Sequence, residues 1–517
     1  MKILSIKLLS ICLVVLLGLS SCANDLDLFP TNEIQGDELF VSVEAYKQGL
    51  STVYQNLSGF DGSGVYRYYW TLQESGTDEM ASKWDGGQQT TQLIWSSDHN
   101  MSAERYREIL YLVSLCNNFI LEASPDVLQK RGFSEADKAE VEIYLSEVRF
   151  VRAYAYWMLL DLFGNPTFAT EVTLANGDTP SQIKQGDLFE FIESELQDIE
   201  LNMVEARSNE YGRADRAAVW SLLARLYLNA EIYSGEAHFT EAISYSKKVI
   251  DAGYALEQKH AWLMLGDNHL NTNEFIFTFN YDNEFGNPWR STNVNILGPA
   301  GVPPSITGLT ASWEGLRVRS EIPALFPSYD PSIDKRAVFW TDNQTLEIES
   351  LLNPRHGYSI YKFRNVDRNG VPILQKNTNN SASDVDFPVF RLAEIYFIYA
   401  EAVLRGGTGG DIAIALSYIN RIRGRAYGDN PDSTLGNISL SDLTLDFILD
   451  ERARELLWEG HRRTDLIRYN RFTTADYLWE WKGGVKSGTS VDSKYNLFPI
   501  PISDLLTNPN LKQNPGY

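Results

Sequence analysis

The chain has 517 residues, with 68 acidic against 45 basic side chains and a net charge of −23. So negative a balance excludes a nucleic-acid partner and electrostatic attachment to anionic lipid, since both need a basic face. The length allows a large core or more than one folding unit.

Met1 to Leu19 carries Lys2 and Lys7 and then an apolar run from Leu8 to Leu19. Leu19-Ser20-Ser21-Cys22 follows at once. A basic start, a short apolar stretch and small residues before a cysteine form a secretory leader. The cysteine directly after Leu-Ser-Ser resembles a bacterial lipobox, so residues 1–21 are expected to be a signal peptide and Cys22 the lipidated first residue of the mature chain. Residues 22–37 read as a polar, Pro-containing tether. Beyond the leader no run approaches 18 apolar residues, so no further membrane span is expected.

Residues 38–254 read as an N-terminal helical region. The spacing predicts helices over 42–57, 103–163 (with one long amphipathic helix at 141–163), 185–203, 216–233 and 239–251. Within it, residues 60–100 are Gly-rich, aromatic and irregular, and are expected to be surface loops that carry ligand-binding groups. The pair 216–233 and 239–251 has small and aromatic residues at tetratricopeptide-like spacing, and 391–405 with 411–425 repeats it. Ala242 and Tyr245 of the first unit map onto Ala415 and Tyr418 of the second. Residues 255–386 lose helical periodicity and read as an inserted, loop-rich subdomain with short strands, one near 274–279. Helices return in 387–517, which ends in a Pro/Asn-rich tail expected along the surface.

No zinc, serine-hydrolase, phosphate-loop or dinucleotide motif is present. The six histidines form no i, i+3 or i+4 pair, and His461 reads as structural. Cys116, in an apolar helical stretch, reads as core. Two carboxylate pairs lie near tryptophans, Asp78-Glu79 before Trp84 and Asp282 with Glu284 before Trp289. Glycoside hydrolysis needs only two such acids at the right separation, but neither spacing singles out a pair, and a solvated face is the default reading in so acidic a chain. The charges over 450–465 recur at helical spacing and, with Arg391 and Glu394, point to a buried polar network. The stretch 266–274 (GDNHLNTNE) offers oxygen ligands suited to calcium without an EF-hand pattern, so no cofactor is predicted. The 12 Trp, 27 Tyr and 24 Phe suit sugar binding, because aromatic faces pack on pyranose C–H groups.

Six blocks carry a resemblance. They are DLDLFPTN after Cys22, SEVRFVRAYAYWMLLDLFGNPTF (146–168), GRADRAAVWSLLARLYLNAEIYSG (212–235), FPVFRLAEIYFIYAEA (387–402), DERARELLWEGHRRTDLIRYNRF (450–472) and LFPIPISDLLTNPNLKQNPGY (497–517). In this order they resemble the SusD/RagB family of outer-membrane lipoproteins, and the segment 472–501 is similar to its starch-binding type. The resemblance implies a mainly α fold, a scaffold of four tetratricopeptide-like helix pairs bearing a loop-rich ligand-binding subdomain. It implies no catalysis. It implies instead a lipid-anchored protein on the cell surface that captures oligosaccharide, best guessed as a starch-type α-glucan, and delivers it to a SusC-like TonB-dependent transporter. TDEMASKW, NPWRST and ASWEGLRVR place Trp84, Trp289 and Trp313 as an aromatic arc, with Gln88 and Arg290 as polar contacts. Where the starch type carries Asn three positions after the first tryptophan, this chain has Gly87 and then Gln88. The alternatives are a peptide-binding RagB-like member and a surface glycoside hydrolase.

Overall fold

In the computed structural model, which describes residues 39–59, 66–284, 291–376 and 382–517, the helices start and stop where capping chemistry directs. Helix α1 (Val43–Ser58) begins where the Ser42 hydroxyl accepts the Ala45 amide and ends at Gly59, whose φ of 84° only glycine adopts freely. Helix α2 (Asn100–Glu122) packs on α3 (Glu135–Phe163), which opens with a Ser134/Asp137 capping box. The predicted start of the long helix at 141 is therefore six residues late. The polar first turn EADKAE carries no apolar period, and the cap, not the pattern, sets the boundary.

Helix α3 also packs against α1 and against α4 (Gln185–Ile199). Helix α5 (Arg216–Leu228) pairs with α6 (Phe239–Asp251), α6 with α7 (Leu392–Leu404), and α7 with α8 (Ile412–Gly428) and α9 (Leu445–Glu455). The repeat read from sequence holds at the level of side chains. Ala242 and Ala415 are fully buried where helices approach. Tyr245 stacks on Tyr227 at 5.6 Å, and Tyr418 stacks on Tyr396 at 4.2 Å. The architecture is mainly helical, as expected.

The charged network is also present. Arg391 reaches Glu274 at 3.1 Å, Glu455 at 2.8 Å and Glu459 at 2.7 Å, all buried, and Arg225 pairs with Glu394 at 2.7 Å. Such clusters tolerate burial only because each charge is paired and hydrogen-bonded.

Two expectations need correction. Residues 66–100 are not long surface loops. They contain helices Tyr66–Glu74 and Asp85–Gln92, and Trp70 and Trp95 are core residues, each 1 % exposed. The C-terminal tail does not merely lie on the surface. Phe498 and Ile500 are fully buried, the Phe498 amide donates to the Leu162 carbonyl at 2.8 Å, and the Trp95 indole donates to the Tyr517 hydroxyl at 2.6 Å.

Two small ladders tie the non-helical part to the helical scaffold. Strand β2 (Phe275–Phe279) pairs antiparallel with β4 (Phe387–Arg391), and both are buried. The second ladder joins β1 (Ala81–Ser82) to β3 (Leu316–Arg317), and the candidate site hangs from it.

Candidate functional site

In the β1–β3 ladder Ala81 lies opposite Arg317 and Ser82 opposite Leu316. The pairing runs one step further, because the Lys83 N–H donates to the Gly315 carbonyl at 3.0 Å. Trp84 comes next, immediately before helix Asp85–Gln92. Its ring lies against Gly315 so closely that a Cβ there would fall 2.1 Å from Cε2 and 2.4 Å from Nε1. Only a bare backbone admits the indole here. Trp313 stands two residues before that glycine, and its N–H donates to the Leu297 carbonyl at 2.7 Å, fixing it to helix Asn293–Leu297. The pairing thus brings the backbone at Trp84 and at Trp313, far apart in sequence, to the same end of one ladder. Both pack on the core and keep part of their surface exposed. The Trp84 indole N–H has no hydrogen-bond partner among the described residues. Such a pair offers apolar ring surface together with an open donor, which suits a ligand that is apolar on its faces and hydroxylated at its edges.

Gln88 lies one turn into that helix. Its side-chain N–H donates to the Lys83 carbonyl at 3.0 Å, so that donor holds the turn that presents Trp84. Trp289, Arg290 and Cys22 lie outside the described residues. Glu314, between Trp313 and Gly315, forms an ion pair with Arg355 at 2.8 Å on the open side.

The candidate acid pairs are engaged elsewhere. Asp78 and Glu79 are 0 % and 2 % exposed. Asp78 accepts from Arg462 at 2.7 and 2.8 Å and from the Tyr477 hydroxyl at 2.6 Å. Burial pushes its carboxyl up, and the Arg462 guanidinium outweighs this and holds it below the usual range. Glu79 accepts the Trp458 backbone N–H at 2.9 Å, and nearby Glu74 accepts that of Gly460 at 2.6 Å. Burial pushes both up, Glu74 to about 8. These are protonated or ion-paired core groups, not a pair at the floor of a cleft. Asp282 accepts the Glu284 amide at 2.9 Å, and the Glu284 carboxylate pairs with Lys376 at 3.0 Å.

Within 266–274 the Asn268 amide bridges the carbonyls of Leu263 and Asp386 at 2.9 and 2.8 Å, and Glu274 faces Arg391 and Arg425. His461 is deeply set, 3.9 Å from Glu394, and burial drives its imidazole well below the usual range. Cys116 is core, its thiol pushed to about 12 by burial.

Sequence reasoning missed three residues. Gly315 was one of many glycines, and no pattern marked it. Arg317 and Arg319 alternate along a strand in the manner of a solvated edge, yet neither has any exposed surface. Arg317 donates to the carbonyls of His356 at 2.8 Å and Leu351 at 2.6 Å, and Arg319 to those of Met80 at 2.7 Å and Thr91 at 2.6 Å.

No helix among the described residues is long and apolar enough to cross a membrane. Residues 225–517 match the model of the SusD family. The chain is 33 % identical to the starch-binding protein SusD of Bacteroides thetaiotaomicron, over 97 % of this chain and 96 % of that protein. It is 24 % identical to the SusD-like protein P38 of Formosa agariphila over the full length of both. Among solved structures, a SusD homologue from Bacteroides thetaiotaomicron superposes with a TM-score of 0.74 at 18 % identity, covering 94 % of this chain and 99 % of the other. Surface glycan-binding protein A from Bacteroides fluxus superposes with a TM-score of 0.70 at 20 % identity, covering 92 % and 99 %. The helix-pair scaffold, the matched C-terminal half and a relative one-third identical along nearly its whole length agree: this chain belongs to the SusD family.

Proposed function

We propose that the protein is a non-enzymatic glycan-binding lipoprotein. Anchored in the outer membrane through Cys22, it captures a starch-type α-glucan at the cell surface and delivers it to a SusC-like TonB-dependent transporter. What supports the reading is the β1–β3 pairing, which carries the chain at Trp84 and at Trp313 to the same end of one ladder, in a chain one-third identical to a protein named for binding starch. The rings stack on the C–H faces of glucose units, and the open indole N–H of Trp84 donates to a hydroxyl. Trp289 extends the arc, and Arg290 adds a donor. Binding of this kind exchanges water hydrogen bonds for protein ones at a net gain of only about 0.5–1.5 kcal/mol each, so affinity is modest and needs several glucose units. Stacking and hydrogen bonding need no metal or cofactor, and the burial of Asp78 and Glu79 favours binding over hydrolysis.

Electrophoresis of the leader-free protein through gels containing starch, dextran, levan, laminarin or xylan tests this. Retardation by starch that is lost in Trp84→Ala is expected. Retardation by another glycan replaces the ligand. Retardation by none of them removes the reading and favours a peptide ligand.

A further inference from the structure

Arg317 and Arg319 are buried cations with an unusual set of partners. Among the described residues their hydrogen bonds all go to backbone carbonyls, and no carboxylate bonds either guanidinium. The other fully buried arginines, Arg336, Arg391, Arg425, Arg462 and Arg463, each face a carboxylate at hydrogen-bond distance. Burial pulls Arg317 down to about 9, with repulsion from Arg319 adding to it, and pulls Arg319 down to about 10. The arrangement therefore costs stability, and what it holds in place is the binding turn.

The carbonyls chosen are specific. Arg319 bridges Met80 at 2.7 Å and Thr91 at 2.6 Å, closing the loop that carries Trp84 near its tip. Arg317 takes the Gly315 carbonyl at 3.2 Å. That is the carbonyl paired with Lys83 and belongs to the residue on which the Trp84 ring rests. The same guanidinium ties Gly315 to the carbonyls of Leu351 and His356. A ladder two residues long per strand is marginal alone. A planar guanidinium, with five donors in a rigid fork, can fix several carbonyls that belong to no common element.

We infer that Arg317 and Arg319 are positioning residues that hold Trp84 and Trp313 in register for the ligand, Arg319 setting the Trp84 loop and Arg317 the Trp313–Gly315 strand. The inference rests on the glycan-binding reading of these two tryptophans. Holding a site in its bound geometry raises affinity by removing the ordering cost from binding.

The test titrates maltoheptaose into wild type, Trp84→Ala, Arg319→Met, Arg319→Lys and Lys362→Met, with a melting curve for each. Lys362 is the control, a buried cation within the charged core that holds the carbonyls of Glu455 and Leu457 and pairs with the Glu459 carboxylate. A merely structural role predicts that affinity follows stability in every variant. The positioning role predicts that Arg319→Met weakens binding by about tenfold or more, while Lys362→Met melts earlier and binds as wild type does once folded. An ammonium reaches only one of the two carbonyls, so Arg319→Lys recovers part of the affinity; it also decides the matter if Arg319→Met does not fold. Wild-type affinity in Trp84→Ala overturns the site and this inference together. Loss in Trp84→Ala with wild-type affinity in both Arg319 variants overturns this inference alone.

Discussion

Gly315→Ala isolates the Trp84 ring from everything around it. The backbone of Gly315 lies outside the left-handed region, so alanine adopts it without strain. Its methyl group would lie 2.1 Å from Trp84 Cε2 and 2.4 Å from Cζ2. To regain ordinary contact near 3.4 Å the indole must retreat by more than 1 Å. Overpacking in a closed core costs about 1–3 kcal/mol. The Trp84 ring is only partly buried, so it can swing toward water, and the stability cost falls at the low end of that range. In a chain this long that lowers the melting temperature by no more than about 3 °C. Ligand binding takes the larger loss. An aromatic stacking contact contributes about 0.5–1.5 kcal/mol beyond area burial, and each 1.4 kcal/mol is about tenfold in Kd. A displaced ring therefore weakens α-glucan binding roughly three- to tenfold. Calorimetric titration beside differential scanning calorimetry measures both effects. Wild-type affinity in Gly315→Ala would refute the ring as a platform, and a melting point lowered by 10 °C or more would show that the glycine serves the fold.

Other consequences follow from the same geometry. Arg391→Met leaves Glu455 and Glu459 short of a partner in the core and should cost about 3–5 kcal/mol in urea unfolding; a loss below 1 kcal/mol would mean that the network relaxes freely. Glu74 and Glu79 titrate above their unfolded values in the folded chain, Glu74 moving from 4.5 to about 8. From pH 4.5 upward the unfolded chain thus releases protons that the folded chain keeps, and this pair makes stability fall as pH rises toward 8. Glu79→Gln should flatten that decline between pH 5 and 8 in melting curves, and an unchanged slope would contradict the shared burial of the two carboxyls. Gln88→Ala removes one hydrogen bond to the Lys83 carbonyl and should change glycan affinity by less than about 1 kcal/mol; a tenfold loss would instead place Gln88 in direct contact with the ligand.

The helix pairs were legible because their apolar residues keep a helical period and their caps are short-range. Helix 239–251 was read with both ends correct, and the Ala242/Tyr245 and Ala415/Tyr418 correspondence became two stacked tyrosine pairs. Residues 66–100 were illegible for the opposite reason. DGGQQTTQ has no apolar face and opens on two glycines, poor helix formers, yet it is helical, with Arg319 on its Thr91 carbonyl and the 481–484 turn beside it. The same holds for the site. Trp84 and Trp313 could be named from their flanking motifs, but their meeting depends on a ladder of two residues per strand, too short to leave a period in sequence. Nothing in the sequence marked Arg317 and Arg319, because the carbonyls that satisfy them come from separate segments at 80, 91, 315, 351 and 356.

Maltoheptaose titrated into the wild type, Trp84→Ala, Trp313→Ala and the double variant tests the central claim most directly. A shared platform predicts saturable binding by wild type, affinity lower by tenfold or so in each single variant, and no detectable binding in the double. Undiminished binding in the double variant would contradict the account, because the ligand would then sit somewhere other than on the two tryptophans that the ladder brings together.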